Sequence, residues 1–392
     1  MKLVVIGLGQ CGCNIAEQFC AVNDYAKSFF NRRIEIFTDV LAVNTNEADL
    51  GSFSHIPNDK NHRILIGNTR TLGHGIGKMN TSAAQIIKES HSVVTDKVLK
   101  SRKFHEAHGV VVIASGGGGT GSGTIGWVIK ELKEKIEKPV YSIIVLPFGF
   151  EETGDNSYAV TNTATCLKTV NQYADAVFLL DNERFGRTDI NLAQNFKEIN
   201  LEIARNFYDL CCAGEERKQK YIGSKVIDAG DIKESLEGIS SIGRGVIYLP
   251  TFYLWKREKN FRKERKQRSL LATALKKARN NLSLRIEMTD ARKILLLVTA
   301  PRNIITLTNL EEIAASLQNE SPKSVIRIGD YPRRAREISM TLIVSKLTRV
   351  ARMEKLYRQA KDLFKKQEEI YREAEDEIKQ LQETAKNLPT LD

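Results

Sequence analysis

Apolar residues in this chain fall into two kinds of stretch, short uninterrupted blocks and longer runs in which they recur every three or four positions. Leu3 to Ile6, Val40 to Val43, Arg63 to Gly67, Val110 to Ala114, Pro139 to Pro147 and Ala176 to Leu180 are blocks of the first kind and read as buried strands. Helical spacing runs through Ile15, Phe19 and Val22, from Ala83 to Ile87, from Ile125 to Lys135 and from about Asn191 to Cys212. Strand and helix in alternation predict an α/β fold: a doubly wound, mostly parallel sheet that ends in a long central helix.

Beyond Gly243-Arg244-Gly245 the order changes. Val246 to Leu254, Lys293 to Thr299, Val325 to Ile328 and Ile338 to Val344 read as strands, with one helix at Leu310 to Leu317, which predicts a second, α+β domain packed on the central helix. From Leu347 to Leu388 a long helical pattern follows, with Leu356, Ala360, Leu363, Gln367, Ile370, Ala374, Ile378, Leu381, Ala385 and Leu388 in its seam. The extra step of four between Ala374 and Ile378 interrupts a heptad, so a surface helix lying on the body or projecting beyond it is expected rather than a stable coiled coil. The expected division is 1–188, 189–213, 214–346 and 347–392.

Three of the breaks after strands are glycine turns: Gly7-Leu8-Gly9-Gln10-Cys11-Gly12-Cys13-Asn14, Leu72-Gly73-His74-Gly75-Ile76-Gly77-Lys78, and Ser115 to Thr124, which reads SGGGGTGSGT. Such turns let main-chain N–H groups approach an anion, and the helix that follows presents its positive end to the same place. The last run is therefore read as a phosphate cradle, with Thr120 and Ser122 adding hydroxyl donors. It lacks the Lys-Ser/Thr that closes a P-loop, and a flexible linker would not be clamped between a strand and a helix. Three cradles suit a polyphosphate. Gly7, Gly9 and Gly12 also spell a dinucleotide fingerprint, but the second strand ends in Asn44-Thr45-Asn46 where a ribose-binding acid belongs, so a nicotinamide oxidoreductase is the lesser reading.

Further along, Phe148 to Asp155 carries acids suited to ribose hydroxyls. Asp181-Asn182-Glu183 ends a strand with an amide that suits a purine edge. Phe196 and Asn200 stand one helical turn apart, so a stacking ring and an amide can face one pocket.

Composition narrows the class. The 392 residues suffice for two to three domains, and no apolar run reaches the ~20 residues of a membrane helix, so a cytoplasmic protein is expected. Six cysteines show neither a disulfide framework nor zinc spacing. The net charge of +11 is concentrated: Lys256 to Arg279 holds eleven Lys/Arg against two acids. That stretch is read as a solvated helix face, or as a docking patch for an acidic protein or an anionic membrane. Few aromatics interleave with the charges, so no nucleic-acid partner is expected.

Taken together, these residues resemble the tubulin/FtsZ superfamily, most closely its archaeal CetZ-type branch, from Met1 to about Arg349. Gly117-Gly118-Gly119-Thr120-Gly121-Ser122-Gly123 is similar to the family's GGGTG[ST]G loop. Gly9, Gln10, Cys11 and Asn14 fall in its first nucleotide loop, Asn44-Thr45 in its second, and Gly73, His74 and Gly75 in its third, beside the γ-phosphate. The resemblance implies that Asn182, Phe196 and Asn200 bind the base and Glu151 the ribose, while Asp155 stands where the bacterial sequence has an Arg. It implies GTP/GDP as ligand, with Mg²⁺ held mainly by phosphates and water rather than by protein side chains. It also implies a longitudinal homopolymer in which Asp228 and Asp231 hydrolyse the GTP of the adjacent subunit. Those acids match the family's NxDxxD loop, with Val226 replacing its Asn. Three apart at a helix start, the same two acids are also suited to capping that helix. A non-catalytic GTP-binding polymer scaffold and an NAD(P)-dependent oxidoreductase are the alternatives.

Overall fold

In the computed structural model the described residues are 1–27, 33–90, 92–153, 158–185, 191–249, 260–333 and 336–386, with side chains 192–193 and 260–264 left out. Asp155, Leu388, residues 250–254 of the expected strand Val246 to Leu254, and Lys256, Arg257 and Lys259 of the basic stretch lie outside them.

Ten described strands form one sheet: β1 (Leu3–Leu8), β2 (Phe37–Asn44), β3 (Arg63–Leu65), β4 (Gly109–Ser115), β5 (Val140–Leu146), β6 (Ala176–Asp181), β7 (Gly238–Tyr248), β8 (Lys293–Ala300), β9 (Val325–Pro332) and β10 (Glu337–Leu347). Their order is β3-β2-β1-β4-β5-β6-β7-β10-β8-β9. The first six are parallel, as the alternation of strand and helix requires. β7 joins β6 in parallel through three residue pairs, and β10 runs antiparallel to both β7 and β8. The second domain thus continues the sheet of the first.

Both faces of the sheet are covered, and strand alternation feeds each. Val4, Ile6 and Leu8 enter one core while Leu3 and Val5 enter the other. The central helix Leu192–Cys212 lies on the second face, where Phe207 meets Phe178 at 4.9 Å and Phe19 at 5.9 Å between ring centroids. On the opposite face pack the helices Thr120–Lys135, Tyr158–Tyr173, Asn260–Asn280 and Leu307–Glu320.

One expected boundary is wrong. Gly243-Arg244-Gly245 is not a break before a strand but the middle of β7. The helix Asn260–Asn280 presses so closely on it that a Cβ at Gly245 would stand 2.0 Å from the Ala274 carbonyl oxygen, and one at Gly243 2.3 Å from that of Ala278. These glycines serve close packing, not a turn.

The C-terminal helix Ala351–Ala385 roots in the body through Leu356 and Ala360 and is exposed over nearly all of its remaining length. The expectation of a projecting surface helix therefore fits. In the basic helix, Arg268 pairs with Glu312 at 2.7 Å and Arg279 with Glu320 at 2.5 Å, so part of its charge is neutralised by the neighbouring helix.

Candidate functional site

The carboxyl ends of β1, β2, β4, β5 and β6 open toward one rim of the sheet, and their loops build the candidate site there. Gly9 takes φ +68°, and a Cβ on it would stand 2.8 Å from the Gly121 amide nitrogen, so the first glycine loop and the cradle loop are in backbone contact. Gly119 abuts the backbone of Lys78 and Met79 in the third loop, whereas a Cβ at Gly118 would meet nothing within 4 Å. The run Gly117-Gly118-Gly119 is thus packed at its end and open at its middle, beside the start of the helix Thr120–Lys135. That geometry suits an anion.

Side chains lock the loops together. Thr45 and Thr120 share a hydroxyl hydrogen bond of 2.8 Å between the second loop and the cradle. The third loop joins the second through Glu47 N to Gly73 O at 3.0 Å and Gly75 N to Thr45 O at 3.2 Å. Gly73 is buried, while His74, Gln10 and Asn14 are exposed at the rim. Ser122 differs from its expected role: its hydroxyl donates back to the Gly118 and Gly119 carbonyls, so it closes the helix turn and is not a free donor. Burial pushes the Cys11 thiol up to about 12, helped by the nearby Glu151 charge, so the first loop presents a neutral thiol.

At the far side of the rim, Glu151 caps its own turn, Gly149–Glu152, by accepting from Phe148 N at 2.9 Å. Gly149 N donates to Glu183 Oε1 at 2.5 Å and ties that turn to the end of β6. Asn182 is buried there. Phe196, half-exposed on the central helix, leans on Phe148 at 5.8 Å, with Asn200 one turn further along. The glycine loops expected to hold a polyphosphate and the side chains expected to meet a base thus share one rim.

Three tethers escaped the sequence reading. Asp49 accepts from Asn44 Nδ2 at 2.9 Å and from Gln10 Nε2 at 3.5 Å, which places a carboxylate between the first and second loops. Asn162, buried in the helix Tyr158–Tyr173, donates to the carbonyls of Lys78 at 2.8 Å and Gly118 at 3.2 Å, bridging the third loop and the cradle. Asp330, also buried, accepts from Lys225 N at 2.6 Å and Ser224 N at 3.1 Å and pins the loop that leads to Asp228. Asp330, a charged residue just past the apolar run Val325 to Ile328, carried an available signal, whereas Asn162 stands between Thr161 and Thr163 and carried none.

Asp228 and Asp231 stand elsewhere. They form a reciprocal capping box on the helix Ala229–Ser235, and Arg327 Nε lies 3.5 Å from Asp231 Oδ1. Asp228 Cα lies 2.9 Å from where a Cβ on Gly214 would stand, just past the end of the central helix. Phe196 sits near the opposite end of that 21-residue helix, with Asn200 one turn closer to its middle. At 1.5 Å per residue the helix spans roughly 30 Å. A chain therefore does not bring its own two acids to its own cradle.

A family profile described as the Tubulin/FtsZ family GTPase domain matches residues 2–188, and one described as the tubulin-like CetZ C-terminal domain matches residues 189–362. Tubulin-like protein CetZ3 of Haloferax volcanii is 28% identical over 365 residues, spanning 91% of this chain and 90% of the relative. Two solved structures superpose on nearly the whole chain. The GDP-bound monomer of CetZ1 from Haloferax volcanii has a TM-score of 0.77 at 28% identity, covering 92% of this chain and 99% of its own. The GTPγS-bound protofilament of CetZ2 from Haloferax volcanii has a TM-score of 0.79 at 26% identity, covering 94% and 100%.

Proposed function

This chain belongs to the tubulin/FtsZ family, with a GTPase domain followed by a CetZ-type C-terminal domain, and from that premise we propose that it is a cytoskeletal GTPase. It binds GTP at the glycine-lined rim, polymerises head to tail and hydrolyses GTP at a site completed by the Asp228–Asp231 loop of the adjacent subunit. The observation that carries this reading is the separation of the acids from the cradle by the length of the central helix. Phosphoanhydride hydrolysis requires donors for the phosphates, an in-line water and an acid to orient it. Thr120 and the open amides around Gly118 supply the donors at one end, and the acids stand at the other.

Exposed apolar side chains support the same reading. Leu72, Met79 and Phe150 flank the nucleotide rim, and Ile222 and Val226 flank the acidic loop. A head-to-tail contact would cover both sets. The polar groups of the rim also suit Mg²⁺ carried in with the nucleotide. Asp49 is an acid among the phosphate loops, within reach of a water held by the ion. Phosphates and water would supply most ligands, as Mg²⁺ ordinarily requires, and the ion would neutralise charge on the transferring phosphoryl group.

A second reading, a GTP-binding scaffold without hydrolysis, draws on Val226 and on the capping box that occupies part of both acids. Pelleting with GTP and with GDP tests the polymer, and nucleotide analysis after prolonged incubation tests the chemistry. Pelleting with GTP alone, followed by accumulation of GDP and phosphate, is expected. Failure to pellet with either nucleotide would contradict the proposal.

A further inference from the structure

A basic residue opens the C-terminal helix where its dipole disfavours one. Arg352 occupies the first turn of Ala351–Ala385, close to the unsatisfied N–H groups, where cations are destabilising. What holds it there lies 171 to 205 residues earlier in the chain. Its Nη1 donates to Glu152 Oε2 at 3.0 Å, and its Nη2 donates to Glu152 Oε1 and to the Pro147 carbonyl, the latter at 2.9 Å. Its Nε stands 3.4 Å from Asp181 Oδ2. Glu152 and Asp181 are buried, and Lys355 one turn on reaches Glu152 at 3.3 Å, so two acids face two cations.

Each partner adjoins a residue of the nucleotide rim. Glu152 follows Glu151 in the turn Gly149–Glu152, Pro147 precedes that turn at the end of β5, and Asp181 precedes Asn182 at the end of β6. A single planar guanidinium thereby fixes the ribose turn and the base-reading strand end relative to one another, with the bidentate geometry that only Arg provides. Lys355 offers a point charge from a half-exposed side chain and does not reach Pro147 or Asp181 in any described contact.

We propose that Arg352 is a positioning residue for base and ribose recognition, and that through it the seating of the C-terminal helix is coupled to nucleotide selectivity. This rests on the reading of Asn182 and Glu151 as guanosine contacts. Glu151 and Asn182 touch the nucleoside; Arg352 does not, and acts by setting the distance between them.

The test is the affinity of the full chain for GTP and for ITP, which lacks the exocyclic amine of guanine, measured by calorimetry on Arg352→Met, Arg352→Lys and the charge-neutral pair Glu152→Gln/Arg352→Met. GTP binding by Arg352→Met should weaken about tenfold, with the preference for GTP over ITP shrinking toward unity. Arg352→Lys should recover part of the affinity and little of the preference. The neutral pair controls for folding, since it leaves fewer unpaired charges, and should regain thermal stability without regaining the preference. Variants that melt lower yet keep the wild-type affinity and GTP-to-ITP ratio would make Arg352 merely structural and overturn the proposal. A wild-type chain that bound neither nucleotide would instead overturn the functional reading, and the proposal with it.

Discussion

Asp228 and Asp231 hold each other's backbone: Asp228 Oδ1 accepts from Asp231 N at 2.9 Å and Asp231 Oδ2 accepts from Asp228 N at 3.2 Å. This capping box satisfies two of the free amides at the start of the helix Ala229–Ser235 and leaves the remaining carboxylate oxygens facing outward or toward Arg327. Capping and catalysis are therefore compatible in the same two residues. Asp231→Ala should lose about 1 kcal/mol of stability from the weakened cap. GTP binding should be unchanged, because the acids lie a helix length from the cradle of their own chain, and steady-state turnover should fall to background. Calorimetry and phosphate release measure the two sides. Loss of GTP binding in this variant would show that the acid serves its own chain.

The open middle of the glycine run separates ligand space from packing space. Gly118→Ala places a methyl group where no atom stands within 4 Å, so its melting temperature should match the wild type while GTP binding weakens. Gly121→Ala puts a Cβ 2.7 Å from the Leu8 carbonyl oxygen and should lower the melting temperature itself. Thermal melts in the absence of nucleotide, paired with titrations, distinguish the two. Equal destabilisation by both substitutions would refute the cradle geometry.

Asn162 donates from the core to carbonyls of two different loops. Asn162→Leu would leave the Lys78 carbonyl without this donor and the Gly118 carbonyl with Ser122 alone, at a cost of about 1–3 kcal/mol. Amide exchange at residues 72–79 should rise with it, because this link ties the third loop to the cradle. Unchanged exchange there would assign the tethering to the second loop alone.

His62 supplies a pH-dependent clasp at the sheet edge. Its hydrogen bond to Asp39, then that to Asp59, raises its pKa above the usual value despite burial. Burial pushes Asp39 up, but hydrogen bonds from His62 and Ser101 outweigh it and hold that carboxyl below its ordinary value. A raised histidine pKa contributes stability that is fully present below the unfolded value near ~6.5 and is lost as pH rises through the folded value. The stability gap between wild type and His62→Gln should therefore be widest near pH 6 and close toward pH 9. A gap that widens with rising pH would reverse the sign of this account.

The glycine loops and the strand-helix alternation were legible because a glycine required by a turn or a close approach leaves a mark at its own position. The tethers were not. Asp49, Asn162, Asp330 and Arg352 owe their roles to partners between 5 and 205 residues away, and nothing in their local sequence names those partners. Gly243 and Gly245 misled for the opposite reason: their sequence context resembles a turn, while the constraint comes from a helix packed across β7. Residue type alone assigns Ser122 to the ligand, whereas the backbone places its hydroxyl on carbonyls of its own helix turn.

In the proposed filament each active site is shared between two subunits. Phosphate release per chain, measured against protein concentration at saturating GTP and Mg²⁺, distinguishes a shared site from a complete one. A shared site requires negligible turnover below a threshold concentration and a steep rise to a plateau as filaments form. A rate per chain that stayed constant across the whole range, dilute solutions included, would mean that one subunit holds a complete site, and would contradict the account.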